Sequence, residues 1–211
     1  MGDNSRSETK PPYPSDRTPS AEEQIRAATV GERTPLTEPI EIADYDPDWP
    51  LLYLAEVERI RQALGDKVLL IEHVGSTSVV GLAAKARIDI LLVVADSADE
   101  ADYVPPLEAC GYTSRIREPD WFQHRLLKGP DTDVNLHVFS PGCPEIDRML
   151  IFRDWLRDNE ADRRLYERTK RELAQREWKY VQNYADAKTD VVEEILARAQ
   201  AHARGDELPP Q

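Results

Sequence analysis

"HVGSTSVVGLAAKARIDILLVV", residues 73–94, is the stretch whose reading decides the fold. It leaves one apolar run, passes a Gly-Ser turn and a small-residue segment, and enters a second apolar run that carries a single aspartate, Asp89. The runs 67–74 and 87–94 read as strands, nearly continuous in apolar residues, as expected in the middle of a covered sheet. The segment 76–85 between them reads as a short helix. A glycine at a strand end lets the chain turn sharply and lets a ligand approach closely. A serine after it is placed to cap a helix whose free amides favour an anion. A carboxylate inside a buried apolar strand is costly unless paired, hydrogen-bonded or metal-bound. Gly75, Ser76 and Asp89 together therefore outline a phosphate-plus-metal arrangement, against the plainer reading of a capped turn between two core strands.

Outward from this stretch, a strand-like "PIEIADYDPDWP" (39–50) leads into a helix opened by Pro47 or Asp48, with an apolar stripe of Leu52, Val57, Ile60 and Leu64, and ended by Gly65. Residues 97–111 read as a helix interrupted or entered at Pro105-Pro106 and stopped by Gly111. Three strands come next, "YTSRI", "WFQHRLLK" and "VNLHVF", the last two joined by the turn "GPDTD" (129–133). Residues 144–203 are helical by period, read as a helical hairpin and one long last helix. The fold class is α/β (α+β), a mixed sheet with helices before and after it.

Eight of the sixteen prolines fall in the first fifty residues, and residues 1–38 bury too little to offset their ordering entropy. They read as a disordered or loosely draped extension, with "SAEEQIRAA" (20–28) as a short helix capped by Ser20. Residues 39–203 form the domain, and 204–211 a loose tail. The net charge of −13 argues against polymeric nucleic acid as a partner, which needs Lys and Arg to neutralise phosphates, but leaves room for a local basic pocket. The two cysteines, Cys110 and Cys143, make neither a disulfide framework nor a zinc pair. No apolar run approaches the roughly 20 residues that span a bilayer, and the N-terminus lacks a signal-peptide core. The expected location is the cytoplasm. Oligomeric state is left open.

Three of the four histidines, His73, His124 and His137, fall in predicted strands. By the period of two, Asn135 and His137 share one face; Phe122, His124 and Leu126 share a face of their own strand, opposite Gln123 and Arg125. If the sheet gathers His73, Asp89, His124 and His137, it makes a polar pocket; each histidine taken alone reads as a hydrogen-bonded structural residue. Lys85, Arg87, Arg115 and Arg125 are candidates to neutralise phosphate. Tyr180, Tyr184 and Lys188 recur at i, i+4, i+8 and would cover a base or pack on the sheet.

"YDPDWP", "IEHVGSTSVVGLAAKARIDILLVV", "LHVF", "FRDWLR" and "AKTDVVEEILARA" resemble, in order, the GrpB family over residues 39–200. That family is similar to nucleotidyltransferases of the polymerase-β-like fold. The resemblance implies a mixed sheet of the nucleotidyltransferase type, a Gly-Ser turn (Gly75, Ser76, Thr77) facing nucleotide phosphates, and strand carboxylates holding divalent metal. Asp89 matches the first aspartate of an Asp-x-Asp motif; the second position is Leu91, and the third carboxylate falls to Asn135 or His137. Val80 and Ala86 stand where proline is usual.

The expected activity is transfer of a nucleotidyl group from a nucleoside triphosphate, ATP first among them, to a small acceptor, or ligation through an adenylated intermediate. In that reading Asp89, His137 and His124 are catalytic, Asp89 and His137 hold magnesium or manganese, with zinc as an alternative, and His73, Gly75, Ser76, Thr77, Lys85, Arg125 and Lys188 bind the nucleotide. The alternative is a non-catalytic nucleotide- or phosphometabolite-binding or interaction protein with a degenerate metal site.

Overall fold

The computed structural model describes residues 22–32 and 35–205. Among them a five-stranded sheet, β1 (Leu70–Val74), β2 (Ile88–Val93), β3 (Thr113–Glu118), β4 (His124–Lys128) and β5 (Val134–Phe139), runs in the order β1-β2-β5-β4-β3. Only β2 and β5 pair in parallel. Parallel pairing needs a long crossover, and here it contains α3 (Glu100–Ala109) and the antiparallel pair β3–β4. The mixed α/β architecture expected from the sequence is present.

Both faces of the central strands are covered. Ile88, Ile90 and Leu92 of β2 and Val134, Leu136 and Val138 of β5 pack under α2 (Trp49–Leu64) and α3, against Trp49, Ile60, Tyr103 and Leu107. On the opposite face Val74, Leu91, Val93 and Phe139 pack on Ile146 of α4 (Pro144–Asp158). This apolar cover stops short of Asp89, so one end of that face carries polar side chains instead. Val79 and Leu82, just beyond the Gly-Ser turn, are fully buried among α4, α5 (Glu160–Ala174) and α7 (Thr189–Arg204).

Several expectations need correction. The helix over 76–85 is only a 3-10 turn, Ser76–Ser78; Val79, Val80 and Gly81 are poor helix formers, and tertiary anchors hold the rest of the segment. The strand at 39–50 shrinks to one bridge, Ala43 with Ala84. In α2, Leu52 is exposed and Glu56 is buried, because Glu56 accepts a hydrogen bond from the Tyr112 hydroxyl. The strand expected from Trp121 begins at His124; Phe122 and Gln123 adopt positive φ in the preceding turn. The C-terminal region contains four helices, with α6 (Val181–Asp186) short, so Tyr180, Tyr184 and Lys188 lie on α6 and its flanks.

Within the N-terminal extension, α1 (Glu22–Ala28) forms and Thr29 bridges Ile116 of β3. Its expected cap, Ser20, lies outside the described residues, as do residues 206–211 of the tail. Among the described residues no helix is long and apolar enough to cross a membrane.

Edge strand β1 has side-chain donors on two of its outward carbonyls. The carbonyls of Ile71 and His73, two residues apart and so on one side of the strand, accept from the Tyr53 hydroxyl at 3.3 Å and from Arg153 Nη1 at 3.1 Å. Arg153, itself buried, also donates to Glu72 at 2.7 Å. Arg153→Met keeps the apolar stem but orphans the His73 carbonyl. Urea unfolding is expected to show a loss of about 1–3 kcal/mol.

Candidate functional site

Strand register builds the site. Val74 faces Asp89 across β1–β2, Asp89 faces Asn135 across β2–β5, and Asn135 faces Lys128 across β5–β4. Two residues further along, Leu91 aligns with His137 and His137 with Leu126. Asn135 Nδ2 donates to Asp89 Oδ1 at 2.8 Å, and Lys128 Nζ donates to Asn135 Oδ1 at 2.9 Å. Asp133 accepts from both Lys128 and Arg87.

Gly75 closes this row from above. Its φ is +74°, and a Cβ there would lie 2.5 Å from Asp89 Oδ2. Only glycine provides both the backbone conformation and the close approach. The adjoining turn begins with the amides of Ser76 and Thr77, which have no partner within it, and α4 buttresses it: the Arg157 guanidinium donates twice to the Ser78 carbonyl, at 3.2 and 3.0 Å.

A chain of side chains extends from Asp89 across the sheet. His137 Nε2 lies 3.7 Å from Asp89 Oδ1, His124 Nε2 lies 3.2 Å from His137 Nδ1, and His124 Nδ1 lies 2.7 Å from Glu118 Oε2. The two imidazoles stack at 5.3 Å, and His124 also stacks on Phe139.

Charge is concentrated here. Burial works against ionisation of Asp89, but the imidazole of His137, the Arg87 guanidinium and the Asn135 amide outweigh it, and the carboxyl is held below its ordinary value. Burial and then the neighbouring Arg87 push the Lys85 and Lys128 ammoniums below theirs.

The structure thus brings Gly75, Ser76, Lys85, Asp89, His124 and His137 together, and does not bring in the other four predicted residues. His73 lies on the opposite face, its ring stacked 4.6 Å from Tyr53. Thr77 is buried; its hydroxyl donates to the Arg87 carbonyl and therefore accepts from His73 Nε2–H, so this pair ties the turn to β2. Arg125 also faces away, donating to Glu100 of α3. Lys188 sits over the Tyr184 ring at 4.7 Å. Sequence reasoning missed Glu118, Lys128 and Asp133. The period of two from His124 reaches Lys128, whereas no local signal marks the other two.

A two-magnesium clamp does not fit. Bridging carboxylates would have to hold two ions about 4 Å apart, and the second carboxylate position is Leu91, fully buried among Val74, Val93, Phe139 and Ile146. Among the described residues no three His, Cys, Asp or Glu side chains gather into a metal cage.

The sequence profile of the GrpB protein family matches residues 39–198. The chain belongs to the GrpB family. It is 62% identical over 187 residues to UPF0157 protein BH1888 of Halalkalibacterium halodurans, covering 89% of this chain and 96% of that protein. The crystal structure of the conserved protein GrpB from Enterococcus faecalis matches with a TM-score of 0.69 at 29% identity, covering 78% of this chain and 99% of that one. A dephospho-CoA kinase of Mycolicibacterium paratuberculosis is 30% identical over 164 residues, which cover 65% of this chain and 40% of that protein.

His73 gives this GrpB protein an acid limit. Burial, with Arg157 and Arg153 nearby, lowers its pKa from 6.5 to about 4 despite Asp89. The unfolded chain therefore binds a proton between those values that the folded chain does not. Stability is retained above pH 6.5 and falls as pH drops toward 4, by roughly 3 kcal/mol. His73→Gln is expected to flatten that part of the stability profile in pH-dependent urea unfolding.

Proposed function

We propose that the cleft binds the phosphates of a nucleotide at the Gly75–Ser76 turn. The observation that carries this reading is the grouping of Lys85, Arg87 and Lys128 about Asp89, the residue that abuts Gly75, in a chain of net charge −13. Burial and Arg87 disfavour the two ammoniums, Asp133 and Asp89 offset part of that, and a ligand anion beside them would offset more. Gly75 lets a ligand approach the backbone, and Ser76 is only partly buried. One relative carries its GrpB-like stretch in a protein named a dephospho-CoA kinase, which sets this family beside phosphoryl chemistry.

A second reading, nucleotidyl transfer, is favoured by the linked imidazoles at Asp89. An acceptor hydroxyl would attack the α-phosphorus; the new O–P bond forms, the bond to pyrophosphate breaks, and the hydroxyl proton passes to His137, backed by His124 and Glu118. Release of pyrophosphate belongs to this reading alone.

Thermal unfolding with a panel of nucleoside triphosphates tests the binding. A ligand at 100 times its Kd adds about 2.7 kcal/mol. That shift is expected for the natural chain, and it should disappear in Lys85→Ala/Lys128→Ala and in Gly75→Ala, whose added methyl meets Asp89. A flat response across the panel sinks the proposal.

A further inference from the structure

The chain from Glu22 to Leu36 leaves and returns to one residue, Lys179, in the link between α5 and α6. Glu22 accepts from Lys179 Nζ at 3.0 and 3.1 Å and from the Tyr180 hydroxyl at 3.4 Å. Leu36 N–H donates to the Lys179 carbonyl at 3.1 Å, and the Leu36 side chain packs on the cluster of Ile40, Leu173 and Tyr184. Midway, the chain reaches the sheet. Thr29 bridges Ile116 of β3, and Val30 N–H donates to the Arg115 carbonyl at 2.8 Å. Both ends are thus held on the helical layer and the tip on the edge of the sheet.

Strand register places that tip relative to the candidate site. Ile116 faces Leu126, Leu126 faces His137 and His137 faces Leu91, so these residues form one row across the sheet. Thr29 lengthens the row by one position at the β3 edge. The next row on the same face, two residues along each strand, holds Val74, Asp89, Asn135 and Lys128. Val30, one residue on from Thr29, belongs by alternation to the other face, where it lines a gap with Val104 of α3. The base of the loop lies on helices that pack beside α4, the helix covering the face of Asp89 and His137. The fastening is light. No residue of α1 is buried, and the exposed Glu22–Lys179 pair adds little. Segments held by few buried contacts open at low free energy.

We infer that the stretch from Glu22 to Leu36 is a flap on the candidate cleft, hinged at Lys179 and latched to β3 at Thr29. Its tip lifts from Ile116 to admit a ligand to His137 and the Gly75–Ser76 turn. Closure of such a segment shuts out water and sets the rates of entry and release. The identity of what enters rests on the nucleotide reading; the motion does not.

The test uses the full chain with Thr29→Cys and Ile116→Cys, and with Cys110→Ser and Cys143→Ser to remove the natural thiols. The Val30–Arg115 hydrogen bond falls one residue outside the Thr29–Ile116 pair. Non-hydrogen-bonded pairs of this kind stand about 4.5 Å apart at Cα, a separation that a disulfide spans. Oxidation therefore latches the flap, and reduction followed by removal of the reductant frees it. Two rates are read in both forms: carbethoxylation of His137 by diethyl pyrocarbonate, located by peptide mass, and association of a fluorescent ATP analogue. Each is expected to fall about 10-fold or more on oxidation, as for a site reached through a minor open state, and to recover on reduction. Val30→Pro in the natural chain removes the N–H that holds the tip and should raise both rates. Circular dichroism checks that each form is folded. Three results overturn the inference: equal His137 rates in the two forms, a nucleotide that enters the oxidised form as fast as the reduced one, or a Val30→Pro chain that reacts no faster than the natural one. Shielding of His137 on oxidation, with no nucleotide signal in either form, overturns the nucleotide proposal and leaves the flap standing.

Discussion

The contact between Gly75 and Asp89 is the constraint on which the rest of the site depends. β1 ends opposite Asp89, near the start of β2, and the chain must turn away at once without covering that aspartate. A side chain at position 75 would occupy the space of the Asp89 carboxyl. Because it is glycine, the backbone passes within van der Waals distance of the carboxylate, and the turn lies directly on the polar end of β2. Three further links hold it there. The Thr77 hydroxyl reaches the Arg87 carbonyl, the Ser78 hydroxyl reaches the Gly75 carbonyl, and Arg157 reaches the Ser78 carbonyl from α4. The turn is thus fixed from both flanks before any ligand arrives, which lowers the ordering cost of binding one.

The same sheet face is divided between packing and chemistry by the path of α4. Where the helix crosses, β2 and β5 present Leu91, Val93 and Phe139. Beyond its edge they present Asp89, Asn135 and His137. A carboxylate at position 91 would sit under the helix in an apolar cluster, and isolated burial of that charge costs several kcal/mol. The substitution to leucine and the close seating of α4 are therefore consistent with each other. Arg153 and Arg157 then secure the helix to β1 and to the turn, so the surface that closes one half of the face also supports the other.

How much of this was legible in the sequence depends on the range of each interaction. The two strands around the Gly-Ser turn, the pairing partners after Gly111 and the helical C-terminal region are signalled by local apolar pattern, and they are present with modest shifts of boundary. Gly75, Ser76 and Asp89 were legible because turn chemistry and a lone buried charge are local signals. The helix over 76–85 failed because the order of that segment comes from elsewhere: Val79 and Leu82 are buried by α4, α5 and α7, and Lys170 of α5 donates to the Ala83 carbonyl. His73 was misplaced by parity. It belongs to the face under α2, which alternation along β1 fixes only once the partner strand is known. Lys188 required the break between α6 and α7, and Glu118 required the pairing of β3 with β4.

The family resemblance carried the backbone further than it carried the chemistry. The resemblance implies that strand carboxylates hold metal, yet this chain retains one aspartate and surrounds it with amide, imidazole and ammonium groups. Each replacement changes what the position offers. Asn135 gives Asp89 a donor in place of a second negative charge, and Lys128 satisfies the amide oxygen of that same asparagine. His137 offers nitrogen where oxygen would have been, and its other nitrogen is already engaged by His124. The result is a site of lower negative charge than a carboxylate pair, with cations on one side and linked imidazoles on the other. Such a site attracts an anion more strongly, and a hard cation less strongly, than the arrangement it resembles. The chemistry this site offers is accordingly set by these residues around Asp89 more than by the sheet that displays them.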